Sequence, residues 1–224
     1  MTFSLAARCD RTGMLGVAIA SSSPAVAARC VHARAGVGAV LSQNVTDPRL
    51  GPEALVLMAG GLSAADAVAD LAARTPHAAW RQIVAIDASG RTGIHSGPNA
   101  LGIWSDAAGR EVVAAGNLLA HEGVPQTMVE GFETAPGPFG DRLLAAMRAG
   151  HSAGGEAGPI HSAGLMIVDR QPWPYADLRC DWAEDDPLAV LEQAWAVYAP
   201  QADVYVQRAL DPGAAPSFGV AGDE

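Results

Sequence analysis

The sequence predicts a mixed α+β fold built on antiparallel sheets. Half of the 224 residues are hydrophobic and only 17% are charged, below the usual ~25%. That is ample apolar material for a buried core and a poor composition for disorder. Short apolar runs come in pairs joined by turn residues, as in hairpins. Helical patterns follow in pairs instead of alternating one by one with strands, which argues against a parallel βαβ arrangement.

The elements follow in order. Thr2–Cys9 (TFSLAARC) alternates loosely and reads as a strand. Asp10-Arg11-Thr12-Gly13 reads as a turn, and Met14–Ala20 completes a hairpin. Gly36–Gln43 (GVGAVLSQ), small and β-branched, reads as a third, buried strand. Gly51-Pro52 opens an apolar helix to Met58, stopped by Gly60-Gly61. Ser63 is an N-cap for a second helix, with Asp66 completing a capping-box-like start and Ala64, Ala67, Val68 and Leu71 at helical spacing. Gln82–Ile86 and Thr92–His95 flank the turn Asp87-Ala88-Ser89-Gly90, giving a second hairpin. Glu111–Ala115 reads as a strand, Val124–Glu133 and Phe139–Ala149 as helices, His151–Pro159 as a Gly-rich loop and Ser162–Val168 as a strand. Asp186-Pro187 opens a last helix to Tyr198. No repeat or linker breaks the chain, so residues 1–210 are expected to form one domain. A loose Gly/Pro/Ala-rich tail is expected at 211–224.

Composition also excludes functions. The net charge of -10 repels phosphate backbones, so nucleic acid is not an expected partner. No basic amphipathic stretch suits a membrane surface, and no apolar run reaches the ~18 residues of a span. All 14 basic residues are Arg. Without Lys there is neither a P-loop lysine nor a Schiff-base amine, and Arg is a poor general base. Cys9, Cys30 and Cys180 are odd in number and far apart, which points to free thiols in a reducing cytoplasm. A signal-peptide reading of Arg8, Arg11 and the run to Ala25-Val26-Ala27 is opposed by Asp10 in the charged region and by a short, Gly-interrupted apolar run. Low charge with a high apolar fraction predicts a homo-oligomer, a dimer.

Few residues suggest chemistry by pattern. His95, His121, His151 and His161 form no metal-binding spacing, and no metal is expected. Gly36-Val37-Gly38 lacks the third glycine of a dinucleotide loop. Thr2 is different: its small side chain permits removal of Met1. The exposed threonine then carries a hydroxyl and an α-amine of pKa roughly 7.7–8.0, nucleophile and base in one residue. Many ordinary proteins also begin Met-Thr, so the pair by itself leaves that reading open.

Longer blocks carry a resemblance. MTFSLAARCDRTGMLGVAIASS, ARAGVGAV, LGPEAL, GLSAADAVADL, RQIVAIDASGR, His95-Ser96-Gly97, Gly116-Asn117-Leu118-Leu119, DRLLAAMRAG and SAGG closely resemble the DUF1028 family from Thr2 to about Tyr198. These are uncharacterised bacterial and archaeal proteins assigned to the N-terminal nucleophile (Ntn) hydrolase superfamily. The resemblance implies a four-layer αββα sandwich of two stacked, mainly antiparallel sheets, with Thr2 as the nucleophile between them. It implies Arg34 as electrostatic support near the threonine hydroxyl, with a surface arginine as the alternative. It implies Asn117 as an oxyanion donor, with a turn asparagine as the alternative. Ser22, Gln43, His95 and Glu156 are the candidate substrate contacts. Where the family has Thr after the histidine, this chain has Ser96; Glu156 replaces an Asp, and Gly158-Pro159 replaces Arg-Gly.

The expected function is therefore amide or ureido C–N hydrolysis of a small molecule through an acyl-Thr2 intermediate, needing no cofactor. The alternative is a non-catalytic small-molecule-binding or assembly protein on the same fold, in which Met1 stays attached.

Overall fold

The computed structural model describes residues 1–217. The expected tail, 211–224, thus lies partly outside the described residues. Strands β1 (Thr2–Arg8), β2 (Leu15–Ser21), β3 (Val31–Arg34), β4 (Gly38–Asn44), β5 (Arg81–Asp87), β6 (Thr92–Ser96), β7 (Ser105–Gly109), β8 (Val112–Asn117), β9 (Ser162–Val168) and β10 (Ala176–Cys180) form two sheets. One has the order β10-β9-β2-β1-β8-β7, the other β3-β4-β5-β6. Their pairings are antiparallel.

The sheets stack face to face and helices cover both outer faces, giving the four-layer αββα sandwich. Period-two alternation explains why. On β1, Phe3, Leu5 and Ala7 face the helices α4 (Val124–Thr134), α5 (Phe139–Ser152) and α6 (Pro187–Tyr198). Ala6 faces the second sheet with Leu15, Val17, Ile19, Leu41, Val84 and Val113. On the far side, α2 (Leu50–Ala59) and α3 (Ala64–Arg74) bury Leu50, Ala54, Val68 and Leu71 against Val40, Ile83 and Ala85. Phe132 is fully buried edge-on to Phe139, centroids 6.1 Å apart. Ser63 caps α3, accepting from the Asp66 amide at 3.1 Å, as its sequence predicts. Gly93 lets α3 rest on β6, since a Cβ there would stand 2.3 Å from the Ala64 carbonyl oxygen.

Several elements were not legible. The short helix α1 (Ala27–Cys30), β3, β7, β10 and a last helix α7 (Ala202–Leu210) have no strong period of their own. β7 reads SDAAG, half exposed, and is a strand because it pairs with β8 along its whole length. Among the described residues no helix is long and apolar enough to cross a membrane.

Candidate active site

At one end of the sandwich the layer between the sheets changes from apolar to polar. Stepping by two along each strand shows it: Ala6, Ser4, Thr2 on β1; Ile19, Ser21 on β2; Ala115, Asn117 on β8; Leu41, Gln43 on β4; Val84, Gln82 on β5; Ile94, Ser96 on β6. Pairing brings these ends together. Thr2 stands opposite Asn117, Gln43 opposite Gln82 and Gln82 opposite Ser96, while the pair Phe3 and Ala20 sets Ser21 beside Thr2. Thr2, Ser4, Ser21, Gln43, Gln82 and Asn117 are all buried.

Burying so many polar groups requires hydrogen bonds among them, and Ser4, Gln43, Gln82 and Asn117 form a continuous chain across the sheets. Ser4 Oγ donates to Gln43 Oε1 at 2.6 Å. Gln43 Nε2 donates to Gln82 Oε1 at 2.8 Å and to the Ala115 carbonyl at 3.3 Å. Gln82 Nε2 donates to Ser96 Oγ and to the Gly116 carbonyl, both at 3.1 Å. Ser96 Oγ donates to Asp106 at 2.8 Å. Asn117 Nδ2 gives one hydrogen to Gln82 Oε1 at 3.2 Å; an amide nitrogen carries two.

Thr2 and Ser21 form a second, adjoining group. Their hydroxyls converge on the carbonyl oxygen of the Met1–Thr2 peptide bond, each at 2.5 Å. The two hydroxyl oxygens are 3.3 Å apart. Ser21 Oγ also accepts from the Ser23 amide at 3.1 Å, which fixes its rotamer and aims its own proton at the carbonyl. With Met1 attached, the Thr2 nitrogen is an amide and has no basicity.

Glu156 sits beside this group and is built in by backbone. After Asn117 the chain reverses at Leu118, whose φ of 51° is left-handed, a conformation that costs a non-glycine residue about 1–2 kcal/mol. The reversal lets Leu119 bridge to Glu156, with Ala157 N–H donating to the Leu118 carbonyl at 2.8 Å and Ala120 N–H to the Gly155 carbonyl at 3.0 Å. Glu156 is 4% exposed. Among the described residues neither carboxyl oxygen has a hydrogen-bond partner. Burial pushes its pKa up to about 7, against the opposite pull of the Met1 ammonium and of Ser22 beside it.

The structure thus brings Thr2, Asn117, Gln43, Ser22 and Glu156 to one end of the sandwich, with changed emphasis. Gln43 is saturated by Ser4, Gln82 and Ala115, so it braces the site and has no donor left for a ligand. At the end of β2 it is Ser21 that faces Thr2. Arg34 does not belong. It pairs with Gly38 at the opposite end of β4 from Gln43, about 17 Å away at ~3.4 Å per residue. It is exposed, and it lies on the face opposite to its neighbours Val31 and Ala33, which pack between the sheets. At the sheet edge it lines a surface depression with Arg170 and Trp173. His95 is also turned away: it shares the helix-side face with Ile83, and its Nε2 lies 2.9 Å from the Ala78 carbonyl. His121 and His161 likewise bond the backbone carbonyls of Ala153 and Ala183. Ser4, Ser21 and Gln82 were missed. Each is a polar residue in register with an apolar inner face, a signal that exists only once the face is known.

Three comparisons bear on identity. A family model described as "Family of unknown function (DUF1028)" matches residues 2–191. The crystal structure of protein SPO2555 from Silicibacter pomeroyi, assigned to the same family model, is similar with a TM-score of 0.83 and 29% identity over 88% of this chain and 86% of that one. An Anbu mutant from Hyphomicrobium sp. strain MC1 shows a distant likeness, TM-score 0.41 and 13% identity, over 91% of this chain and 96% of that one. Anbu (ancestral beta-subunit) from Yersinia bercovieri gives 0.40 and 10%, over 92% and 97%. No curated protein matches the chain.

Proposed function

The chain belongs to the DUF1028 family, and from that premise we propose that it is an N-terminal-threonine amidohydrolase cleaving a C–N bond of a small molecule. One observation carries the reading. Two buried hydroxyls, of Thr2 and Ser21, already grip the carbonyl oxygen of an amide, the group such an enzyme must hold.

Removal of Met1 turns the Thr2 nitrogen into an amine able to accept the Oγ1 proton near neutral pH. Oγ1 then attacks the substrate carbonyl carbon, and negative charge develops on the carbonyl oxygen. Its stabilisation is assigned to Ser21 Oγ, which donates to the Met1 carbonyl, and to the second hydrogen of Asn117 Nδ2, from the residue paired with Thr2 across the strands. The C–N bond breaks as the Thr2 ammonium returns its proton to the leaving nitrogen. Water, deprotonated by the same amine, hydrolyses the Thr2 ester, releasing the acid and restoring the hydroxyl. Asn117 is assigned the oxyanion-donor role in this proposal, and Arg34 is assigned none. Gln43 and Gln82 hold the oxyanion side rigid.

The test begins with intact mass, which shows whether the native protein starts at Thr2. That protein is then screened on small amides and ureido acids. Thr2→Ala should lose at least ~10³-fold in kcat, and Thr2→Ser should keep part of it. Full turnover in Thr2→Ala refutes the mechanism, and a retained Met1 favours the binding-protein alternative. The expected homo-oligomer belongs to the same proposal; a clean monomer in sedimentation at micromolar concentration rejects it.

A further inference from the structure

We infer that the substrates are amides of α-amino acids with a free α-amine, Glu156 pairing with the substrate ammonium and Gly158 making room for the side chain. This rests on the Thr2 reading and names its substrate class.

Met1 is the first argument. It is an α-aminoacyl group joined to the nitrogen of the nucleophile residue. The nitrogen and Oγ1 of one threonine are separated by only two carbons, so an acyl group on either falls in the same pocket. Each part of Met1 then marks a part of the acyl site. Its carbonyl oxygen takes the two hydroxyls at 2.5 Å. Its side chain lies on Gly158, where a Cβ would stand 3.2 Å from Met1 Cε and 3.5 Å from Sδ. Its ammonium acts on Glu156 electrostatically, lowering that carboxyl against the effect of burial.

Glu156 is the second argument and stands independently of Met1. Native proteins bury a carboxylate with partners, yet this one is 4% exposed, and among the described residues neither oxygen completes a hydrogen bond, with only Ser22 drawing on it from beside. No lysine exists in the chain to supply a cation. A substrate ammonium, with three donors and a positive charge, supplies what the protein leaves out. An acylated or deaminated substrate would bury the same carboxylate against a neutral group and be rejected. Ser21 and Glu156 thus read two points of one α-aminoacyl group, the carbonyl and the amine.

The test uses protein that starts at residue 2, verified by intact mass. The Thr2→Ala form, which lacks the nucleophile and leaves ligand intact, is titrated calorimetrically with L-methioninamide and with N-acetyl-L-methioninamide. The free amine should bind at least about thirtyfold tighter, and adding Glu156→Gln should erase the difference. Equal binding, no binding of methioninamide, or a preference that survives Glu156→Gln overturns the inference. So does an equal effect of Glu156→Gln on both ligands, which would assign Glu156 to the amine at residue 2. Turnover of L-methionine p-nitroanilide separates this inference from the reading beneath it. Preference intact with undiminished turnover in Thr2→Ala sinks the nucleophile and spares the subsite. Preference absent while Thr2→Ala is dead does the reverse.

Discussion

Asp87 and Glu156 are both 4% exposed, and the protein treats them in opposite ways. Asp87 closes the turn between β5 and β6. Its oxygens accept from the amides of Ala64, Ser89 and Arg91 and from Arg91 Nε, at 2.8–3.1 Å. Burial alone would raise its carboxyl, but these bonds outweigh it and hold the group below its ordinary value. Glu156 has the burial with only the weak pull of Ser22 and the Met1 ammonium against it, and its carboxyl rises. A satisfied buried carboxylate fastens α3 to a hairpin. An unsatisfied one destabilises the fold, a cost that the proposed ammonium site would explain.

The largest effect that tests this contrast is Asp87→Ala. It strands several buried donors at once and should destabilise by about 2–4 kcal/mol in urea unfolding. A change within ~0.5 kcal/mol would mean the bonds are decorative. The wild-type contribution has a definite sign. A carboxyl lowered in the fold stabilises above its unfolded value of 3.8, and that contribution fades as pH falls through the folded value.

Glu156→Gln should move the other way. The native state holds the Glu156 proton more tightly than the unfolded chain, so stability falls as pH rises from 4.5 to about 7. Removing the charge should therefore stabilise by about 1–2 kcal/mol at pH 8 and by nothing at pH 4, while activity is lost. Denaturation midpoints at the two pH values check it; equal shifts at both would show a packing effect instead.

Two smaller changes sharpen the comparison. Arg91 is largely exposed although it bonds Asp87 at 2.8 Å, so Arg91→Ala should lose only about 0.5–1 kcal/mol, with solvent screening most of the pair. A loss as large as that of Asp87→Ala would shift the credit from the backbone amides to the ion pair. Ser22 pulls the Glu156 carboxyl down. Ser22→Ala should therefore destabilise by about 0.5 kcal/mol at pH 8 and leave pH 4 unchanged; no difference between the two would remove Ser22 from the site.

The sequence by itself determined the local elements, because period, caps and turns act over a few residues. The hairpins around Asp10–Gly13 and Asp87–Gly90, the Ser63 cap and the paired helices α4 and α5 all follow from it. It also singled out Thr2, through the chemistry of one residue, and it carried the family's blocks. Tertiary structure alone decided which residues stand with Thr2. Arg34 and Gln43 lie close in sequence, yet β3 and β4 run antiparallel and send them to opposite ends of the sandwich. Ser21 and Ser22 are neighbours, yet alternation gives the Thr2 hydroxyl to Ser21. Gln82 and Ser4 become a polar brace only when two sheets stack. Whether Glu156 is paired or orphaned depends on everything packed around it, and burial of that kind is a property of the folded surface, not of any stretch of chain.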